Sequence, residues 1–75
     1  MNKLELMNEI KESVEFYRML SDTDMYEMFT NNKLYNEALS SAVQDGLIKR
    51  VEFTLKDSPT AVHSFYLPAS AKLRE

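Results

Sequence analysis

The sequence predicts a small α+β domain with three helices followed by a two-stranded antiparallel β-hairpin. Apolar residues recur at steps of three and four through about residue 45, the period of helices, and at every second position after residue 50, the period of strands. The only glycine, Gly46, stands where the period changes and suits the left-handed backbone that commonly follows a helix. We expect one domain over residues 1–75, near the lower size limit for a core without disulfides, metal or a partner chain.

The first helix is predicted at about residues 4–20. Its apolar face covers roughly half of the circumference once Phe16 is included, which is wider than a lone surface helix needs. The domain core or a second copy must cover this face, so a homodimer through the first helix is a further hypothesis. The residues of the face are Leu6, Met7, Ile10, Val14, Tyr17 and Leu20.

An acidic ridge runs along the same helix beside Phe16 and Met19. Glu5, Glu9, Glu12 and Glu15 follow one another at steps of three or four residues, which aligns them on a helix surface. A solvated face is one interpretation. The other is a protein-interaction surface formed by Glu5, Glu9, Glu12, Phe16 and Met19.

Two further helices are predicted at about residues 24–29 and 33–45. Asp24 and Glu27 have the spacing of a capping box at the start of the second helix. Thr30-Asn31-Asn32 then favours a turn. In the third helix, Tyr35 lies on the apolar half, where packing in the core and base stacking are both open.

Strands are predicted at about residues 48–56 and 61–67. Val51, Phe53 and Leu55 alternate with polar residues, which predicts that these three side chains form the buried face of the first strand. Residues 57–60 read as a turn, and the β-branched and aromatic residues after them fit an antiparallel return strand.

The composition argues against an enzyme. The chain has no cysteine and a single histidine, His63, so it offers neither a thiolate nor a histidine cluster with metal-ligand spacing. One glycine cannot form a glycine-rich phosphate loop. We therefore predict no catalytic site, no metal and no cofactor. The lack of cysteine and of any long apolar stretch leads us to expect a cytoplasmic protein that does not enter the membrane.

The run from Leu39 through AVQDGLIKRVEF to HSFYLP is similar to the end of the recognition helix and the wing of MarR-, PadR- and HxlR-type bacterial regulators. Together with the order of the elements, this run resembles the winged helix-turn-helix family. The resemblance implies a small transcriptional regulator that binds double-stranded DNA with its third helix in the major groove. The DNA-binding residues it implies are Lys33, Asn36, Glu37 and Ser40 on that helix, with Lys49, Arg50 and Lys56 on the hairpin.

The charge distribution keeps a second function open. The net charge is −3, and residues 1–30 carry three cations against seven anions, whereas residues 31–75 carry six cations against five anions. Strongly basic surfaces are typical of nucleic-acid binders. The alternative is thus an acidic winged-helix module that binds and modulates a protein partner without binding DNA, by analogy with compact acidic proteins of phages and mobile elements.

Overall fold

The computed structural model describes residues 2–71 and confirms an α+β architecture with three helices. The β-sheet has three antiparallel strands in the order β1-β3-β2, one strand more than the predicted hairpin. The elements in chain order are α1 (Lys3–Tyr17), β1 (Leu20–Ser21), α2 (Asp22–Phe29), α3 (Tyr35–Gln44), β2 (Ile48–Leu55) and β3 (Ser58–Pro68).

Helix α1 begins at a capping box and ends three residues before its predicted boundary. The Asn2 side chain accepts a hydrogen bond from the Glu5 amide at 2.8 Å, and the Glu5 carboxylate accepts one from the Asn2 amide at 3.4 Å. Arg18 adopts a left-handed backbone with φ of 70°, which stops the helix after Tyr17. Four residues of the predicted apolar face are buried on α1, namely Leu6, Met7, Ile10 and Val14.

The turn at Arg18 leads into β1, the strand that the sequence did not predict. Leu20 pairs with Tyr66 of β3, and Ser21 pairs with Phe65. Leu20 is buried as expected, but from a strand and not from the end of a helix. A two-residue strand is too short to show any periodicity in the sequence, and its partner lies in the last part of the chain.

The boundaries of α2 and α3 follow from local side-chain hydrogen bonds. Ser21 caps α2, because its Oγ accepts a hydrogen bond from the Asp24 amide at 3.1 Å. The capping box expected from Asp24 and Glu27 was therefore wrong, and α2 begins two residues earlier than predicted. The Asn32 side chain accepts from the Leu34 amide at 2.9 Å and holds the turn before α3.

Gly46 ends α3 as predicted. Its φ is +75°, and its amide donates to the Val43 carbonyl at 3.1 Å. The Leu47 amide donates to the Ala42 carbonyl at 2.9 Å, which completes a Schellman motif. The chain thereby reverses into β2, and Ile48 enters the core.

The buried face of the hairpin is the opposite of the one predicted. Ile48, Tyr66 and Leu20 are buried and lie on the face that packs against the helices. Val51 and Phe53 have the other parity, so they point away from the helices. Leu55 follows an irregularity in the register after Thr54, and both Phe53 and Leu55 are exposed. The alternation was correct, but the sequence could not tell which parity faces the helices.

The distal half of the hairpin extends beyond the core. Strand β3 begins at Ser58, where a turn was expected, and every residue from 52 to 63 is exposed. The molecule measures 41 × 25 × 20 Å along its principal axes. The core itself joins α1, α2, α3 and the proximal part of the sheet. Its largest fully buried side chains are Leu6, Ile10, Val14, Met25 and Ile48.

Candidate functional site

Helix α3 presents three uncharged polar side chains in one row. Asn36, Ser40 and Gln44 follow one another at steps of four residues, and all three are exposed. The opposite side of the helix is fixed to the core by Tyr35, Ala38 and Ala42, which are buried. The row is therefore held by a rigid element. The base-stacking interpretation of Tyr35 is wrong, since its ring stacks on Phe29 inside the core with 6.3 Å between the ring centroids.

The row faces the sheet across a polar cleft of about 310 Å³, which we call the α3 cleft. Its walls bring together three residues that the sequence predicted for DNA binding, Asn36, Ser40 and Arg50. Gln44 belongs to the same wall and was missed, although its spacing from Ser40 could have revealed it. The remaining lining residues are Leu39, Val43 and Tyr66.

Arg50 is held at the rim of the α3 cleft by two polar neighbours on the same face of the sheet. Its Nη2 lies 3.1 Å from Oε1 of Glu52 and 3.3 Å from Oγ of Ser64. Both side chains of the ion pair are about half exposed. An exposed pair of this kind contributes about 0–1 kcal/mol, so a ligand can replace Glu52 at little cost.

Tyr66 forms the floor of the α3 cleft as a neutral group. Its hydroxyl donates a hydrogen bond to Oδ1 of Asp22 at 3.3 Å. Burial raises the pKa of the Tyr66 phenol, and the Asp22 carboxylate raises it further. The pKa of Tyr35 is raised to about 12, mainly by burial and then by the charges of Tyr66 and Asp22. Both phenols therefore stay protonated near neutral pH.

The other predicted DNA-binding residues lie outside the α3 cleft. Lys33 is exposed in the turn before α3 and not on the helix as predicted, Glu37 is exposed in the first turn of α3, and Lys56 is exposed at the tip of the hairpin. Within residues 2–71, neither lysine forms an ion pair. Lys49 has the opposite strand parity from Arg50, so it points away from α3, and its Nζ donates a hydrogen bond to the Ala71 carbonyl. The structure thus separates Lys49 from the rest of the predicted set.

A second surface lies where α1 ends and α2 begins, and we call it the acid-rimmed groove. It encloses about 370 Å³. Tyr17, Met19 and Met28 form its apolar walls over the buried Leu20. The two other lining residues are acidic, Asp24 and Glu27.

The predicted protein-interaction residues are spread along α1 and the turn that follows it, and only those at the C-terminal end lie near this groove. Glu5, Glu9, Glu12 and Phe16 are exposed on the outer side of the helix. Glu5 takes part in the capping box, and Glu15 pairs with Lys11 at 3.0 Å. The ring of Phe16 contacts that of Tyr17 edge to face, with 4.9 Å between the centroids. Met19 therefore lines the groove and Phe16 adjoins it through Tyr17, whereas Glu5 lies at the far end of α1.

The outward face of the hairpin carries an aromatic stack. Phe53 lies 5.3 Å from Phe65 and 5.6 Å from His63 across the two strands, measured between ring centroids. His63 is exposed at the side of this stack. In the part of the chain that the structure describes, no three histidine or acidic side chains gather as metal ligands would.

Comparisons with protein families, with curated proteins and with solved structures find no match to this chain. Over residues 2–71, no helix has the length and apolar character needed to cross a membrane.

Proposed function

We propose that this chain is a winged helix-turn-helix domain that binds double-stranded DNA through the surface of α3 and the tip of the β2–β3 hairpin. The order of three helices and a terminal hairpin supports the family resemblance. The five residues between Phe29 and Tyr35 form the turn between the second and third helices. In this proposal α3 enters the major groove and the hairpin follows the phosphate backbone.

The observation that carries the proposal is the juxtaposition of Asn36, Ser40, Gln44 and Arg50 around the α3 cleft. Asparagine and glutamine pair with adenine in the major groove, arginine pairs with guanine, and serine accepts or donates to either base. These four side chains come from two elements that the core holds in fixed relation. A surface of this composition reads base edges through hydrogen bonds.

The phosphate contacts in this proposal are few. Lys33 and Lys56 are the exposed lysines of the surface, and Arg50 becomes a third cation once it releases Glu52. Each neutralised phosphate contributes about −0.9 to the slope of log K against log salt concentration, so one copy should give a slope of about −2 to −3. Such a slope corresponds to weak binding by a single copy. The homodimer expected from the sequence would place two copies of α3 on successive half-sites.

The experiment is a fluorescence-anisotropy titration of a random-sequence DNA duplex at low and at increasing salt concentration. The double variant Lys33→Glu/Lys56→Glu should abolish binding. Lys49→Glu is the control for a single charge reversal, because it makes the same type of substitution once, on the other face of the sheet, and should leave binding within about twofold of its original strength. Equal losses in the two variants, or no binding at about 100 µM in low salt, would overturn the proposal.

A second candidate function is a protein-interaction module that does not bind DNA. The acid-rimmed groove favours it, since its carboxylates repel phosphate and attract cationic protein surfaces, and its exposed apolar side chains offer area to bury. Two acidic side chains, Glu37 and Glu52, also border the proposed DNA surface. Failure of the DNA titration together with an intact fold would make this second function the principal one.

A further inference from the structure

We propose that the acid-rimmed groove is the docking site for a basic amphipathic helix of a partner protein. This surface lies where α1 ends and α2 begins, and none of its lining residues lines the α3 cleft. The proposal stands on different residues from DNA binding and holds whether or not DNA is bound.

Four large apolar side chains are exposed at this site, three of them in its lining and the fourth, Phe16, in edge-to-face contact with Tyr17. The exposed fractions are 78% for Phe16, 56% for Tyr17, 54% for Met19 and 43% for Met28. They come from three successive segments, since α1 supplies the two aromatic rings, the turn after Arg18 supplies Met19, and α2 supplies Met28. Isolated exposed apolar residues are ordinary, but a contiguous group rimmed by polar side chains marks an interaction site.

The charge around the groove determines which charge a partner must carry. Asp24 and Glu27 line it, and Glu12 lies one helical turn before Phe16 on α1. Arg18, between Tyr17 and Met19 in the sequence, is the neighbouring cation. Among the described residues at this site acidic side chains therefore outnumber basic ones, and a partner that carries lysine or arginine beside its apolar anchors is complementary to this rim.

The shape and the residue types favour a helix as the bound element. The groove is lined by residues of two helices and by the buried Leu20, and a volume of about 370 Å³ can receive apolar anchors from one face of a helix. Methionine has no branched carbon and a polarizable sulfur, so Met19 and Met28 adapt to side chains of different shape. Acid-rimmed, methionine-containing grooves suit helices with apolar residues at steps of three and four.

A second copy of this chain is a poorer occupant. Two grooves packed face to face across a twofold axis would bring Asp24 and Glu27 of each copy against the same carboxylates of the other. The chain is also net acidic, with twelve acidic residues against nine basic ones. Like charges at such an interface oppose association.

The test uses a fluorescent amphipathic peptide of about four helical turns, with leucine and tryptophan on one face and lysine on the other. Binding is followed by anisotropy against the full chain. We expect a Kd in the micromolar range, a loss of about tenfold for Met28→Ser and Met19→Ser, and a loss of about threefold for Glu27→Gln. Two variants outside the groove serve as matched controls, Leu4→Ser for the apolar change and Glu37→Gln for the charge change. Both should bind like the original chain.

A peptide of the same composition with its amphipathic order scrambled separates docking from simple charge attraction. The proposal predicts at least tenfold weaker binding of the scrambled peptide. Equal binding of both peptides, unchanged binding by Met28→Ser, or no binding at about 100 µM would overturn it. Sedimentation of the chain alone tests whether a second copy occupies the groove. A dimer that Met28→Ser dissociates would assign the groove to a second copy instead. Circular dichroism confirms that each variant is folded.

Discussion

The proximal and distal halves of the β2–β3 hairpin are built from the same two strands but are stabilised in different ways. At the proximal end Ile48 and Tyr66 are buried against the helices. Beyond Val51 and Ser64 every residue of both strands is exposed, and Phe53 there contacts the ring of His63 on the facing strand and that of Phe65 in the proximal half. The tip, which is held by strand pairing without burial, is therefore free to contact a ligand. The base is held by burial against the helices, and this burial also fixes the position of Arg50 at the α3 cleft.

The largest expected effect is a loss of stability from a substitution in the proximal half of the hairpin. Ile48 is 1% exposed, and Ile48→Ala should lower the free energy of unfolding by about 3 kcal/mol through lost burial and a residual cavity. Phe53, at 44% exposed, is the distal counterpart, and Phe53→Ala should cost about 1 kcal/mol because only part of an aromatic pair is lost. Urea unfolding followed by circular dichroism measures both. Equal costs for the two substitutions would contradict the division of the hairpin.

The second effect is on the pH dependence of the packed region. The pKa of Tyr35 is raised to about 12 in the folded chain, above the ordinary value of 10.0. The folded state therefore holds the phenol proton more tightly, so this contribution to stability is complete below pH 10 and is lost as the pH rises towards 12. We expect a loss of about 2 kcal/mol from this group.

Comparison of the urea midpoint at pH 9 and pH 11.5 measures this loss. Tyr35→Phe should reduce the alkaline loss, because it removes the titrating group. Tyr17 is more than half exposed and is not among the groups that raise the pKa of Tyr35, so Tyr17→Phe is the matched control and should behave like the original chain. An alkaline loss that is the same in all three proteins would exclude Tyr35 as its source.

A third effect concerns the junction between α3 and the proximal hairpin. Gly46 has a φ of +75°, and a Cβ at this position would meet no atom within 4 Å. Gly46→Ala therefore tests backbone strain alone and should cost about 1 kcal/mol. Gly46→Asn should cost less, since asparagine tolerates the left-handed conformation. Thermal unfolding ranks the three proteins, and an alanine variant as stable as the original chain would be inconsistent with this φ.

The smallest expected effect on stability concerns Glu52, which lies at the boundary between the proximal and distal halves of the hairpin. Glu52→Gln removes the exposed ion pair with Arg50 and should change the unfolding free energy by less than about 0.5 kcal/mol. In the DNA titration the same variant should bind a few-fold more tightly, with a salt slope steeper by about 0.9, because Arg50 is then available to a phosphate. Glu12→Gln, on α1, is the charge-matched control. A tighter complex in both variants would indicate a general charge effect instead of release of Arg50.

Much of the fold could be predicted from local signals. Helical periodicity marked the buried face of α1, and the single glycine marked the end of α3. The errors have long-range causes. Nothing in the sequence near Leu20 reveals its pairing with Tyr66, and the orientation of the hairpin depends on the burial of Ile48 and not on the alternation that begins at Val51.

The candidate surfaces were predicted only in part, for a related reason. The family resemblance implied Asn36 and Ser40, but the approach of Arg50 to that helix depends on the register of the sheet. The sequence also grouped Lys49 with Arg50, whereas strand alternation sends the two side chains to opposite faces. The acid-rimmed groove was indicated by Phe16 and Met19 alone. Its other wall comes from α2, which the left-handed turn at Arg18 brings alongside.

The brevity of β1 leaves the middle strand of the sheet with an open flank. Within residues 2–71, β1 pairs with β3 only at Phe65 and Tyr66, so the stretch of β3 from Ser58 to Ser64 has no neighbour from β1. On its other side β2 pairs with Ser58 and with Val62 to Ser64, while residues 59–61 lie at an irregularity in the register. Backbone groups along an uncovered strand are templates for a strand from another molecule, the first step of edge-to-edge aggregation. Pro59 lies in this stretch and has no amide hydrogen to donate. Pro59 therefore opposes the addition of a strand from another molecule at the exposed tip of the hairpin.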